Sequence, residues 1–511
     1  MNFTSILFSN EQGPELTEQP EPPAFFTDLN LDQVFNSVMK GKESYNLVPY
    51  FYTSLESSSE IFYRQEVFRD LEDPKLFSII KSFSQKMTVM RRYLELIQKL
   101  YYEHHITGWF LEAVLVYCEA VQTLSQDLSE IQLKSTGLTL FRKFISKFQI
   151  SNEFVKLDQE SKDLKKDLQE IDYCVIIKDS TVQIRKYENE IDYSKVVEKT
   201  FEKFKQGEVK NYKVEFIKTS GMNHVEAQIL DAVAKLFPII FEKLSEFFEH
   251  NQNFINQTIR RFDREIQFYT AYDEYIESIK HLGYKFCYPE ISTDKKEVSS
   301  QEAFDIALAK LLIGEQKSLV TNDFYLTGNE RIIVVSGPNQ GGKTTFARQF
   351  GQLHFLASIG VPVMGKQAKL FLFDQLFTHF EVEEDIRNLR GKLQDDLHRI
   401  NKILEQATPQ SIIIMNEIFT STTLNDAIFL SKEILLRIEH LDILSVCVTF
   451  IDELASLSEK TISMVSTVDP GNLAIRTFKI IRKPADGLAF ALSIVEKYHL
   501  TYNSLKERIQ S

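Results

Sequence analysis

Nine consecutive residues narrow the possible folds of this chain more than any others. Gly337, Pro338, Asn339, Gln340, Gly341, Gly342, Lys343, Thr344 and Thr345 follow directly on the apolar run 331–336 and lead into a helix-like stretch that reaches His354. Gly337 and Gly342 bracket four residues whose backbone N–H groups can turn inward only where side chains do not obstruct a phosphate. Lys343 is then placed to reach β- and γ-phosphates, Thr344 to give its hydroxyl to a magnesium ion, and the helix N-terminus to add its positive dipole end. The bare pattern arises by chance in unrelated chains, and the strand before it and the helix after it are what give it weight. The sequence predicts a binding site for a nucleoside triphosphate, with ATP and Mg2+ as cofactors.

About seventy residues downstream, the short apolar run 411–415 ends in Asn416 and Glu417. That is the form of a buried strand delivering polar groups at its carboxyl end. In P-loop enzymes an Asp at this place helps to hold magnesium, and in some classes a following Glu directs the attacking water. Here Asn416 takes the metal position, offering an amide oxygen without the negative charge, so weakened metal binding is expected. Glu417 is the candidate catalytic residue.

The 511 residues suffice for two to four domains, and a hydrophobic content of 43% is ample for packed cores. No apolar run approaches the roughly 18 residues of a membrane span, and the first ten residues lack the basic and apolar regions of a signal peptide. The default expectation is a cytoplasmic protein without membrane association. Cys118, Cys174, Cys287 and Cys447 are widely spaced and form no C-x-x-C pair, so they read as reduced thiols and not as a zinc site or a disulfide framework. A net charge of -13 argues against a protein that coats nucleic acid over its whole surface, yet leaves room for a local basic strip. Lys195, Lys199, Lys203, Lys205, Lys210, Lys213 and Lys218 stand against Glu198, Glu202, Glu208 and Glu215. This stretch reads either as a track for a phosphate backbone or as a solvated helix face.

Composition divides the chain further. Residues 1–24, with Gly13, Pro14, Pro20, Pro22 and Pro23 among polar residues, read as a loose leader. From Phe25 to about residue 150 the apolar residues recur at helical spacing, as in Leu76, Phe77, Ile79, Ile80 and Phe83, predicting an all-α domain in which Trp109 packs in the core. A charged helix over 152–171 precedes two alternating runs, 173–178 and 181–186, that flank Asp179-Ser180 as a hairpin, and 212–217 adds another alternating segment. Helical periodicity returns from about 224 to 281. The expected organisation is a helical core or lever at 25–150 and 223–299, interrupted by a small strand-bearing insertion at 151–222. A C-terminal parallel α/β P-loop domain follows at 300–511, with strands at 331–336, 412–416, 443–449 and 463–468.

These residues resemble the MutS ATPases of DNA mismatch repair and recombination control. The glycine loop is similar to that family's GPNxGGKST, the lead-in from Val320 to Leu326 to its xxNDxxL segment, and the segment from Pro362 to Phe380, with its stretch Leu372 to Thr378, to its FDRIFT strand. Ser411 to Ile418 resembles LVLMDEI, and Gly487 to Tyr498 the last segment before the terminal helices. The resemblance implies a clamp-like insertion, an ABC-type ATPase domain and a homodimer with composite ATP sites, whose paired levers and clamps close on double-stranded or branched DNA under nucleotide control, with repair proteins as further partners. It places Leu319 and Asn322 near the adenine, gives Lys343 and Thr344 the phosphate and metal, and gives Glu417 the water. Lys195, Lys199, Lys203, Lys205, Lys210 and Lys213 become the candidate DNA contacts.

Departures from the pattern qualify what the resemblance implies. No room is expected ahead of residue 25 for the mismatch-reading domain, whose Phe-x-Glu motif is matched only incidentally by Phe110-Leu111-Glu112 in an apolar helical stretch. No nuclease domain is expected after the ATPase domain. The family's Ser-Thr-Phe run aligns with Gly391-Lys392-Leu393 after Glu383-Glu384-Asp385, its Thr-His switch reads Thr449-Phe450, and Asn416 replaces the acidic metal holder. Slow hydrolysis follows from these changes, since preorganised charge is usually the largest catalytic contribution. The competing expectation is an ATP-binding conformational scaffold with little turnover that docks a protein or a ribosome.

Overall fold

A computed structural model describes residues 3–9, 20–179, 181–188, 222–315, 317–381, 391–485 and 506. The chain divides into two compact units: one comprises Met1–Phe3, Glu72–Leu133 and Thr139–Asp263, the other Thr4–Leu71, Lys134–Leu138 and Arg264–Ser511. It is therefore multidomain, with helices and mixed sheets. The division does not follow the composition-based boundaries, because residues 25–71, expected in the lever, belong to the unit that carries the glycine loop.

The first unit is helical for reasons visible in its sequence. Helix Pro74–Ile97 starts with proline in its first turn, behind Asp73, whose carboxylate accepts from Lys75 N at 2.9 Å. Ser151 caps Asn152–Gln169, and Asn223 with Glu226 forms a reciprocal capping box on His224–Leu236. Helix Glu103–Ser129 buries Phe110, Leu111, Val114, Tyr117, Val121 and Leu124. Phe141 stacks on Phe262 with centroids 3.5 Å apart. Trp109 is only half-buried: its ring lies 4.8 Å from that of Tyr93, and its Nε1 donates to His105 Nε2. The hairpin predicted on either side of Asp179 is present as Tyr173–Lys178 paired antiparallel with Thr181–Lys186, with Asp179 in the left-handed region at φ 53°. The alternating segment 212–217 and the lysines at 195, 199, 203, 205, 210, 213 and 218 lie outside the described residues.

The second unit is built on a six-stranded sheet in the order Leu376–His379, Ile412–Asn416, Leu444–Val448, Ile332–Ser336, Thr461–Asp469, Asn472–Arg482. The first five strands run parallel, and the last returns antiparallel through a hairpin. Ile332 to Ser336 and Leu444 to Val448 are buried without exception, which is why those strands read as unbroken apolar runs and not as alternating ones. Each strand predicted in the α/β domain is found. The sequence did not reveal a second, mixed sheet of Glu290–Ser292, Gln367–Phe371, Val298–Ala303 and Asn322–Leu326, whose strands are short and whose exposed face carries Glu302, Asp323 and Tyr325. Helix Lys343–Ser358 is almost wholly buried. At its Gly351 an added Cβ would lie 2.7 Å from both Ile414 and Leu29 side chains, so glycine lets the helix press closely on the sheet.

The expected loose leader is corrected over residues 5–8, which are buried, with Ile6 and Leu7 fully enclosed. Glu265 accepts from Ser5 Oγ at 2.9 Å and Ile6 N at 2.8 Å, while Tyr63 and Tyr269 hydroxyls donate to the carbonyls of Ser5 and Ile6. Among the described residues, no helix is long and apolar enough to cross a membrane. The four cysteines are free thiols, and burial pushes Cys118 and Cys447 up to about 12 and Cys287 up to about 11.

Candidate nucleotide site

The glycine loop sits at the carboxyl end of Ile332–Ser336, between Leu444–Val448 on one side and Thr461–Asp469 on the other. Gly337 and Gly342 have φ of 113° and 91°, and Gln340 is held at 59°. Steric limits are as severe as the torsional ones. A Cβ at Gly337 would meet Ser466 O at 2.9 Å, and one at Gly341 would meet Ser466 Oγ at 2.2 Å and Pro338 O at 2.9 Å. Gly337 is thus required by both the turn and the neighbouring strand, Gly341 by the strand and Gly342 by the turn.

Lys343, the first residue of the helix, is buried. Its ammonium donates to Gly337 O at 3.0 Å, Pro338 O at 3.4 Å and Asn339 Oδ1 at 3.1 Å, and lies 3.8 Å from Glu417 Oε1. Burial pulls its pKa below the usual lysine value, and the Glu417 carboxylate works in the opposite direction. Thr344 Oγ donates to Asn416 Oδ1 at 2.9 Å, so the two proposed metal residues meet although they are separated widely in sequence. Glu417 adopts φ 53° just past the strand end, its N–H held by Val448 O at 2.9 Å. Phe419 is also left-handed, at 60°. Such conformations are sparsely populated for bulky residues and here turn the chain sharply as it leaves the sheet. Pro338 is buried, Asn339 and Gln340 are exposed, and Thr345 is half-buried in the first helical turn.

Among the described residues there is no cluster of three or more His, Cys, Asp or Glu that would hold a metal by itself. The oxygen donors of Thr344 and Asn416 suit magnesium, but both are neutral. They fit an ion whose charge is balanced mainly by phosphate oxygens, since Mg2+ is commonly held by one or two protein groups plus substrate phosphates and water. Such an ion would supply charge neutralisation to the phosphates, and Thr344 with Asn416 would hold it.

Asn322 is buried and already engaged: its Oδ1 accepts from Ile480 N at 2.7 Å and its Nδ2 donates to Phe478 O at 3.2 Å. Leu319 is tied through its N–H to Tyr284 Oη at 2.8 Å, away from the loop's own contacts. Gly391 opens helix Lys392–Gln406 at φ -65°, a conformation open to any residue, with nothing within 4 Å of an added Cβ. Glu383, Glu384 and Asp385 lie outside the described residues, as does the segment Gly487 to Tyr498. Phe450, at the position of the missing imidazole, is 47% exposed. Sequence reasoning missed three residues beside the loop. Ser466 packs against it, Arg476 donates from Nε to Asn339 O at 3.2 Å, and Phe478, at φ 57° and 49% exposed, lies next to Gly342. Only the pairing of Thr461–Asp469 beside the loop strand brings them there, and that pairing is not written in any local pattern.

One further group on the loop helix responds to pH. His354 is buried, its Nδ1 donating to Phe350 O at 2.8 Å and its ring 4.3 Å from that of Phe350. Nε2 has no hydrogen-bond partner, so a second proton would be buried without an acceptor. Burial lowers the pKa to about 4. Because the folded value lies below the unfolded one, this group's contribution is fully present above about pH 6.5 and declines as pH falls towards 4, by about 3 kcal/mol in all. Urea midpoints of wild type and His354→Leu should therefore lie further apart, in favour of wild type, at pH 8 than at pH 5. A constant separation would refute the assignment.

A strand, a glycine loop and a helix N-terminus on a parallel sheet, with a Thr hydroxyl meeting the polar end of strand Ile412–Asn416, define a P-loop domain. Residues 333–477 match the family model for MutS domain V. The chain is similar to the DNA mismatch repair protein MutS of Orientia tsutsugamushi, at 29% identity over 221 residues, covering 42% of this chain and 23% of that protein. It is also similar to MutS of Shouchella clausii, at 30% over 174 residues (33% and 20%), and to the mouse DNA mismatch repair protein Msh3, at 29% over 143 residues (28% and 13%). Residues 333–477 thus carry a domain similar to MutS domain V. The matched stretches span less than a quarter of the length of these relatives.

Proposed function

We propose that this chain is an ATP-dependent DNA-binding protein of MutS type, acting in mismatch repair or recombination control as a dimeric clamp gated by nucleotide, with composite ATP sites. The observation that carries the nucleotide half is the convergence of Lys343, Thr344, Asn416 and Glu417 on one loop. In this reading the loop N–H groups and Lys343 bind phosphates, Thr344 and Asn416 hold Mg2+, and Glu417 orients water. Phe478, exposed beside Gly342 and joined to Asn322, offers its ring to the base. The DNA half rests on the family, whose named relatives are mismatch repair proteins, and on the lysines between 195 and 213 as contacts. Cytoplasmic location belongs to the same reading.

A second reading, an ATP-binding scaffold with little turnover, is favoured by the neutral Asn416, by Gly391 in place of a hydroxyl and by Phe450 in place of an imidazole. Steady-state ATP hydrolysis separates the two. Measured alone and with homoduplex, mismatched, branched and single-stranded DNA, the wild type should show a rate that one duplex or branched form changes. Glu417→Gln should bind ATP within about three-fold of wild type while losing at least 100-fold in rate, as expected for a group that acts only in the transition state. A wild-type rate equal to that of Glu417→Gln under every condition would reject the hydrolysing clamp in favour of the scaffold.

A further inference from the structure

Four carbonyls of the glycine loop are engaged by side-chain donors. Lys343 takes those of Gly337 and Pro338, Arg476 takes that of Asn339, and Ser466 Oγ donates to Gly341 O at 2.7 Å. Two of these donors come from outside the loop, on the paired strands Thr461–Asp469 and Asn472–Arg482, where Val468 faces Arg476. Ser466 is 1% exposed, and its backbone and side chain form the wall against which both Gly337 and Gly341 are packed.

The consequence follows from peptide geometry. No described peptide bond is cis, and in a trans peptide the C=O of one residue and the N–H of the next point in opposite directions in one plane. A hydroxyl that holds the Gly341 carbonyl towards the Thr461–Asp469 strand therefore turns the Gly342 N–H away from that strand. Gly342 is the N-cap of helix Lys343–Ser358, so this N–H belongs to the helix terminus at which an anion would bind. Glycine on both sides of the peptide, with few torsional restraints of its own, leaves its orientation to whatever grips the carbonyl.

We propose that Ser466 is a positioning residue for the nucleotide phosphates: by gripping the Gly341 carbonyl it aims the Gly342 N–H at them. This rests on the loop being a nucleotide site. Ser466 touches the loop and not the ligand, and its hydroxyl acts on phosphate recognition alone, with no part in recognising the base. A phosphate is a charged acceptor, and a misaimed donor to a charged group loses most of its contribution, which corresponds to about ten-fold in affinity.

Calorimetric titration of the full chain with ATP and with adenosine tests this. Ser466→Ala should weaken ATP about ten-fold and leave adenosine unchanged, while the nucleotide-free melting temperature falls by about 2–6 °C, as loss of one buried hydrogen bond implies. Ser466→Thr, which retains the hydroxyl, should restore ATP affinity. Wild-type ATP affinity in Ser466→Ala would overturn the proposal. So would an equal loss for ATP and adenosine, or a loss that Ser466→Thr does not repair in a variant that melts like wild type, since each would make Ser466 a packing residue. Failure of the wild type itself to bind ATP would instead reject the nucleotide reading, a result distinguishable because it appears before any substitution is made.

Discussion

The Lys343→Ala variant is expected to lose at least about 100-fold in affinity for ATP, measured by calorimetry or by displacement of a fluorescent analogue. The side chain is the first helical residue, buried against its own loop, and its ammonium already bridges Gly337 O, Pro338 O and Asn339 Oδ1. Truncation removes the one lysine charge of the loop and, at the same time, leaves three acceptors without that donor. Burial opposes the charged form of Lys343, and Glu417 at 3.8 Å offsets this, so an incoming phosphate strengthens an ammonium that the protein itself holds under tension. Lys343→Met separates the two consequences: it keeps most of the volume and loses the charge. Equal losses in both variants would assign the effect to charge, and a smaller loss in Lys343→Met would assign part of it to collapse of the loop. ATP affinity unchanged in both would mean that the site lies elsewhere.

The loop itself was legible in the sequence because its requirements are local: glycines at fixed intervals, an apolar strand before, a helix after. Asn416 and Glu417 were legible for the same reason, since a short apolar run ending in polar residues has few other readings beside such a loop. What could not be read was whatever depends on which strands lie side by side. Ser466 is one serine in an ordinary strand until Thr461–Asp469 is paired with Ile332–Ser336. Asn322, placed by resemblance near the base, has both ends of its amide on the backbone of Asn472–Arg482, and the exposed ring beside it is that of Phe478. The helices between residues 25 and 150 were legible from their periodicity, yet periodicity is indifferent to which unit a helix joins, and residues 25–71 went to the unit that carries the glycine loop.

The amino-terminal segment failed for a related reason, and it carries the largest stability effect expected here. Prolines and polar residues up to position 24 suggest a chain without partners, but the partners of residues 5–8 are far away in sequence. Arg64 is the most telling of them: 1% exposed, it donates from Nε to Leu7 O at 3.1 Å and from Nη1 to Ile359 O at 2.8 Å. Its guanidinium lies 4.9 Å from the ring centroid of Phe8 and 5.1 Å from that of Phe268. Burial lowers its pKa to about 10 despite the nearby Tyr269, Glu60 and Glu265, so the ion stays charged and is held by carbonyls and ring faces. Gly360, at φ 79°, leaves room for it, since a Cβ there would lie 2.9 Å from Arg64 Cβ. Arg64→Ala should therefore leave two buried carbonyls without this donor and a gap between two aromatic rings, destabilising the glycine-loop unit by about 3–5 kcal/mol. Thermal unfolding followed by calorimetry should show the transition of that unit lowered by roughly 10 °C. Arg64→Met fills most of the gap without restoring the donors. A loss in Arg64→Met close to that in Arg64→Ala would place the stabilisation in the hydrogen bonds that pin residue 7, and a shift below about 2 °C in both would show that the segment is held without Arg64.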